Sequence, residues 1–401
     1  MCVSQVKCAA RSHGDSVTSG ATRWSGRPSP ASGFWNRFHT ACHARVVTGD
    51  TAEPQGRVPL RAVARVTLDD VARRAGVSAA TASRALGDHP HVAEATRHRV
   101  REAAAALDYV ASPEASRLAG GPTGRVAVLV PHPSRWFFGE LIEGLEAELR
   151  AAELDLVLFR VGGPEDRRDF FARLPARRKV DAVVVLAFAV DEAEHARLAS
   201  LGVAVVAAGG RVASYPSVGI DDHRAGRRAV DHLLHLGHRR IGMLAGGDEQ
   251  RLSPDPDGRS SAWRAALRDA GAEPDEELVA TAPWSGEGGA EAMARLLGLS
   301  TPPTAVFAHC DEMALGAVRT LRRAGLRVPE DLSVIGIDDH PLAALTDLTT
   351  VAQPVREQGR RAGELVVDAL RGSAPPRVPP AEMLPTHLVL RGTTAPPGAA
   401  R

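Results

Sequence analysis

Beyond its single glycine, the run VTLDDVARRAGVSAATASRAL (66–86) brings together one guanidinium, Arg84, and three hydroxyls, Ser78, Thr81 and Ser83. Those groups suit nucleic acid. Hydroxyls and backbone amides near the start of a helix hold phosphate oxygens, and an arginine further along reaches the two acceptors of guanine with paired donors. The chemistry is readout in a groove rather than catalysis.

Two short helices must position these groups. Thr67 followed at three residues by Asp70 is a capping-box variant, and Leu68, Val71, Ala72 and Ala75 recur at helical spacing on one face. Gly76 falls where the first helix must end in a left-handed turn, Val77 fills the corner, and Ser78 caps the second helix. Thr81, Ser83 and Arg84 then point outward. Taken alone, the pattern fits a helix-turn-helix or an ordinary helical hairpin inside a larger helical protein.

From Arg125 onward, short apolar runs alternate with helical patterns. VAVLVP (126–131), DAVVVLA (181–187), VAVVAA (203–208), IGMLAG (241–246), TAVFAH (304–309) and LSVIGID (332–338) are continuous, as buried parallel strands are. Helices are expected between them, including Gly139 to Ala152 and Asp311 to Ala324. The order is doubly wound α/β, which by itself suits a dinucleotide enzyme, a phosphatase-like hydrolase or a binding protein. Enzymatic signatures are thin. AGGR (208–211) and AGGDEQ (245–250) follow strands but complete neither a dinucleotide fingerprint nor a phosphate loop with its lysine. Asp221, Asp222 and His223 read as a solvated loop or helix start. No enzyme activity, metal or cofactor is expected.

The opening run resembles the DNA-binding headpiece of the lactose-repressor and galactose-repressor family, through its VT, DVA, AGVS and SR elements at matching spacing. The likeness continues through HVAEATRHRVREAAAALDYV, similar to the family's third helix and the tyrosine ending it, here Tyr109. It implies DNA contacts from Thr67, Ser78, Ala79, Ala80, Thr81, Ser83 and Arg84, and a hinge-helix wedge at Leu118 that enters the minor groove when two subunits meet on an operator. Two departures narrow this. Ala79 and Ala80 offer only methyls where relatives often have longer side chains, and the hinge run SPEASRLAGG has Ser112 in place of a common asparagine, followed by Pro113 and Glu114. Proline is tolerated in a first turn and glutamate suits its dipole. Arg84 and the hinge are therefore expected to carry most of the specificity.

The body, nearly all of 125–394, resembles the periplasmic-binding-protein-like effector domain of the same family. The fold implied is an all-α helix-turn-helix headpiece plus an α/β effector domain of two doubly wound lobes, closing on a small ligand at the carboxyl ends of their strands. SRWFFGELIEGLE resembles the family's pocket segment, which implicates Trp136, Phe137 and Phe138 in stacking on a ring or packing the cleft. GRSSAWRAAL matches the segment whose arginine grips ligand, here Arg259, and the run from Thr304 to Asp339 together with LTTVAQP implicates Cys310, Asp311, Asp338 and Gln353. Cys310 stands where many relatives have asparagine, and Gly209 where some sugar-responsive relatives have aspartate, a loss that Arg211 is placed to compensate. The effector expected is a sugar or sugar derivative.

The domains expected are a helix-turn-helix unit at 65–110, a hinge at 111–124, and an effector and dimerisation body at 125–394. Its N-lobe spans about 125–222 and 354–381, its C-lobe about 223–353 and 382–394, and 395–401 form a tail. Residues 1–64, rich in Ser, Gly, Arg, Thr and Pro without apolar periodicity, are expected to be disordered or not translated at all. A zinc site from Cys2, Cys8, His13, His39, Cys42 and His43 fits no common finger spacing.

The 401 residues carry 49 basic and 48 acidic side chains, so any basic footprint for DNA is local. Neither a membrane span nor a secretion signal is visible, and the four cysteines make no disulfide framework. The chain is thus expected to be a cytoplasmic, nucleoid-associated regulator, a repressor that reads a pseudo-palindromic operator as a homodimer without touching membrane. The alternative is a solute-binding protein or sugar-metabolising enzyme on the same α/β body. No leucine heptads follow Thr394, so a dimer is expected rather than a tetramer.

Overall fold

The computed structural model describes residues 66–87, 89–109, 122–210, 212, 214–247, 258–372 and 381–398. Leu118, Arg211, the hinge run from Ser112 and residues 1–64 lie outside these.

Three helices, α1 (Leu68–Ala75), α2 (Ala79–Leu86) and α3 (Glu94–Ala106), pack around one another. Thr67 and Asp70 close the capping box from both sides: Asp70 N donates to Thr67 Oγ1 at 3.3 Å, and Thr67 N donates to Asp70 Oδ2 at 2.9 Å. That carboxylate also accepts from Arg73, and the hydrogen bonds from Thr67 lower its pKa to about 2. Gly76 ends α1 at φ 66°, a conformation that disfavours a Cβ, and Ser78 caps α2. The core between them is small: Val71, Ala72, Ala82, Ala85, Val100, Ala103 and Ala104, with Leu68, Val77 and Tyr109 at its margin.

The body contains two six-stranded sheets. The first comprises β1 (Arg125–Val130), β2 (Asp155–Arg160), β3 (Ala182–Leu186), β4 (Ala204–Ala208), β5 (Ser217–Gly219) and β11 (Ala381–Met383), in the order β11-β5-β4-β3-β1-β2 and parallel throughout. The second comprises β6 (Ile241–Gly246), β7 (Val279–Ala282), β8 (Ala305–Ala308), β9 (Ser333–Asp338), β10 (Thr349–Ala352) and β12 (His387–Val389), in the order β12-β10-β9-β8-β6-β7, with only β12 antiparallel. Crossovers with helices on both faces bury the central strands, so their sequences are continuous in Val, Ile, Leu and Ala.

The chain passes between lobes three times. It leaves the first sheet after β5, returns through Pro354 into α12 (Val355–Leu370), and leaves again after β11. The last passage was expected at 382. Pairing of Glu382 with Val218 and of Met383 with Gly219, extended by Leu384 N donating to Gly219 O, holds the chain in the first lobe through Leu384. The expected tail is also engaged at its start, since Ala395 N donates to Ser333 Oγ and the Ala395 carbonyl accepts from His238.

In the first lobe α12 lies against α4 (Trp136–Ala151) at backbone distance. A Cβ on Gly359 would sit 2.0 Å from the Leu141 carbonyl oxygen, and one on Gly144 equally close to that of Arg356. Gly359→Ala must therefore separate the helix pair on which the first lobe's core rests. The expected loss is about 1–3 kcal/mol, read as a lower urea midpoint with an unchanged slope.

Candidate DNA interface and effector site

On the headpiece, Ser78, Ala80, Ser83 and Arg84 are exposed, whereas Ala79 and Thr81 are half-buried and Ala79 packs against the small core. Thr67 is exposed at the start of α1. Ser78 accepts from Thr81 N at 3.1 Å, and the two hydroxyls bond each other at 2.8 Å. Among the described residues Arg84 has no ion-pair partner, in contrast to Arg73 with Asp70 and Arg97 with Glu94. An uncommitted guanidinium on the outer face of α2 is free to meet an external acceptor. Leu118, the expected wedge, lies outside the described residues.

The candidate effector site is built at the carboxyl ends of β8 and β9. Asp311 opens α10 (Asp311–Arg323) directly after β8, and its fully buried carboxylate accepts from Thr350 Oγ1 at 2.7 Å and His340 N at 2.9 Å. It lies over Gly336, where any Cβ would come within 2.1 Å of Oδ1. Asp338 ends β9 with φ 138°, followed by Asp339 at φ 57°. Two such residues in sequence store backbone strain of about 1–3 kcal/mol each, as functional sites do. Gln353 Nε2 donates to Asp338 Oδ1 at 2.6 Å, and Gln358 Nε2 donates to Gln353 Oε1 at 2.9 Å. The carboxylate, an acceptor, fixes the sense of this chain, which runs from the first turn of α12 across Pro354 to the second lobe.

Arg259, near the start of α8 (Gly258–Asp269), is held rigidly. Its Nε donates to Asp222 Oδ1 at 2.7 Å, its Nη1 to the His309 carbonyl, and its guanidinium carbon stands 5.7 Å from the Trp284 ring centroid. Asp222 opens α7 (Asp222–His235), which Asp221 caps by accepting from Arg224 N at 2.8 Å. His309 is buried, and that desolvation, then the charge of Arg259, pushes its pKa down to about 3. The ring is neutral. Gly246 N donates to its Nδ1 at 3.2 Å, leaving the proton on Nε2 toward Ser260 Oγ. Asp222 thus stands at a helix start, one of the two settings its sequence suggests, whereas no local pattern marks His309 or Trp284. Asp222 and Arg259 pair across 37 residues, a contact that no local spacing announces.

The expected aromatics divide. Phe137 is half-buried and stands against Gly209, at φ 82°, whose Cβ would fall 3.2 Å from the Phe137 ring. The aspartate that some relatives carry has no room there. Trp136 is half-buried and faces His340 across the cleft, with ring centroids 4.8 Å apart. Phe138 instead points into the first lobe's core, 5 % exposed beside Leu141 and Leu145. Cys310 is also displaced from the expected pocket surface. It belongs to the second lobe's core, and burial, then nearby Asp338, pushes its thiol up to about 12, which makes it unreactive. Arg211 lies outside the described residues.

Asp311 and Asp338 are buried within one site, and desolvation raises both, with Asp338 adding its charge at Asp311 and Arg259 opposing the rise at Asp338. The pair therefore keeps a proton near neutrality that the unfolded chain would already have lost. Folded pKa values above the unfolded ones mean stability present at low pH and lost as pH rises. The melting temperature should fall as pH rises from about 4, where the unfolded carboxyls lose their protons, to about 8, and Asp311→Asn should flatten that slope, above all beyond about pH 6. Thermal melts of both proteins across this range check it.

Comparison with known proteins agrees with this geometry. Residues 67–112 match the model of bacterial regulatory proteins of the lacI family, and 230–394 match a periplasmic binding protein-like domain. The transcriptional repressor CytR of Escherichia coli (strain K12) is 35% identical over 334 residues, covering 82% of this chain and 96% of its own. The transcriptional regulator CelR of Thermobifida fusca is 35% identical over 341 residues, covering 82% and 98%. Among solved structures, the Lac repressor dimer bound to operator and the anti-inducer ONPF matches with a TM-score of 0.70 at 28% identity, over 82% of this chain and 99% of that one. A CelR–cellobiose complex matches with a TM-score of 0.62 at 32% identity, over 82% and 100%. With a helix-turn-helix ahead of two lobes that enclose a carboxylate and arginine cluster, the chain belongs to the LacI family of bacterial transcription regulators.

Proposed function

We propose that this chain is a homodimeric transcriptional repressor, without enzymatic activity, whose operator affinity is set by a sugar or sugar derivative bound between the two lobes. The observation that carries the reading is the conjunction of an uncommitted Arg84 on an exposed helix face with the Asp338, Gln353 and Arg259 cluster at the carboxyl ends of the second sheet. Carboxylate and guanidinium together match hydroxyls, which both donate and accept. Trp284, Trp136 and Phe137 supply ring faces for the apolar side of such a ligand. Relatives solved with cellobiose and with ribose support that ligand class.

Leu345, 80 % exposed, and Leu342, 46 % exposed, lie together on the short helix α11 (Pro341–Leu345), and this apolar surface supports pairing with a second copy. In the dimer each headpiece reads one half-site, with Leu118 wedging the minor groove between them. Ligand then changes the lobe arrangement and the spacing of the two hinges, and so changes operator affinity; induction is the sense proposed. Among the described residues no helix is long and apolar enough to cross a membrane, and a place at the nucleoid follows from operator binding.

The test is a gel-shift titration on the promoter of the chain's own gene, with and without cellobiose or ribose. Arg84→Ala should lose about 1–3 kcal/mol of preference for that promoter over a scrambled duplex. A variant that binds as tightly and selectively as the parent removes Arg84 from the reading role. A parent protein that does not shift the promoter at all favours a solute-binding protein or enzyme on the same body.

A further inference from the structure

Across the cleft, the two lobes touch through side chains that sequence reading did not single out. Arg135, at the end of the loop after β1, donates from Nε and Nη2 to Oε2 of Glu312 in the first turn of α10, at 3.0 and 2.8 Å. The two side chains are only 21% and 25% exposed, so the pair is far less screened than a surface ion pair. Next to it the Trp136 ring of the first lobe meets the His340 ring of the second, tilted by 57°. Burial keeps the pKa of His340 below its ordinary value, so this contact joins two neutral rings near neutrality. One feature opposes the contact. The Trp136 Nε1 proton is buried with no acceptor among the described residues.

We propose that Arg135–Glu312 and Trp136–His340 form a latch that closes the cleft in the absence of ligand, and that the orphaned indole donor keeps the latch poised rather than locked. Closing forms a charge-assisted pair and a ring contact, while it removes one N–H from water without compensation. The two effects oppose each other, so neither lobe arrangement dominates by a wide margin. Opening then requires only the exchange of one ion pair for water, and any bound molecule that offers an oxygen to Trp136 Nε1 shifts the balance toward closure. The latch sits outside the Asp338, Gln353 and Arg259 cluster; its ion pair works through lobe geometry, and ligand reaches it only at Trp136.

Hydrogen–deuterium exchange on the full-length, ligand-free protein tests this. Arg135→Glu and Glu312→Arg, each alone, should speed uptake in peptides around 136–141 and 310–313 by about fivefold or more, and the double swap should restore the parent rate. Peptides from α3 serve as the unchanged internal standard. Should a reversal fail to fold, Glu312→Gln, which keeps the shape and removes the charge, should speed the same peptides. Single reversals that leave these peptides at the parent rate overturn the latch, as does a double swap that exchanges as fast as the singles. Neither result depends on which ligand or operator the protein recognises, so the latch can fail while the regulatory reading stands.

Discussion

The second lobe is organised around carboxylates held out of water at the ends of parallel strands. Asp338 and Asp311 are nearly or fully buried, and an isolated buried carboxylate is costly enough that it must be hydrogen-bonded, paired or protonated. Each solution recruits a different part of the fold. Thr350 on β10 and the backbone of His340 serve Asp311, while Gln353 at the lobe crossover serves Asp338 and is itself held by Gln358 on α12. Arg259 supplies positive charge near Asp338 but is anchored to Asp222 from another helix. The requirement to satisfy two buried acids therefore ties the strand ends, four helices and one interlobe passage into a single polar network, with fully packed apolar layers on either side.

Gly336 illustrates how closely backbone and charge are fitted. Its missing side chain makes the space that the Asp311 carboxylate occupies. Gln358 Oε1, by contrast, is buried and accepts nothing among the described residues, an expense of about 1–3 kcal/mol that an apolar side chain of similar size would avoid. The residue keeps its place as the last donor in the chain that runs to Asp338.

What the sequence made legible followed from local physics. Continuous runs such as VAVLVP and LSVIGID mark strands buried on both faces, and the capping signals at Thr67 and Ser78 fix both headpiece helices. Strand β2 escaped notice because it is an edge strand with no fully buried residue, and β7, β11 and β12 are too short to rise above their surroundings. Helix α4 begins at Trp136, three residues before the expected Gly139, because the aromatic run forms its first turn. At the candidate site, Arg259, Asp338 and Gln353 were legible through family likeness. Asp222, His309 and the Arg135–Glu312 pair were not, since each depends on partners tens to hundreds of residues away that only the two-lobed topology brings together.

The alanine-rich core of the headpiece has a consequence for heat. Five of its seven fully packed side chains are alanine, so the unit removes little apolar surface from water, whereas each lobe encloses Phe, Leu, Ile or Trp between sheet and helices. A three-helix unit of that size supplies at best about 3–5 kcal/mol by itself. As temperature rises, the part that reads DNA loses its shape while the part that senses ligand is still intact. The protein would then release its genes without any signal molecule, a thermal failure mode graded by how firmly the operator itself holds the small helices together.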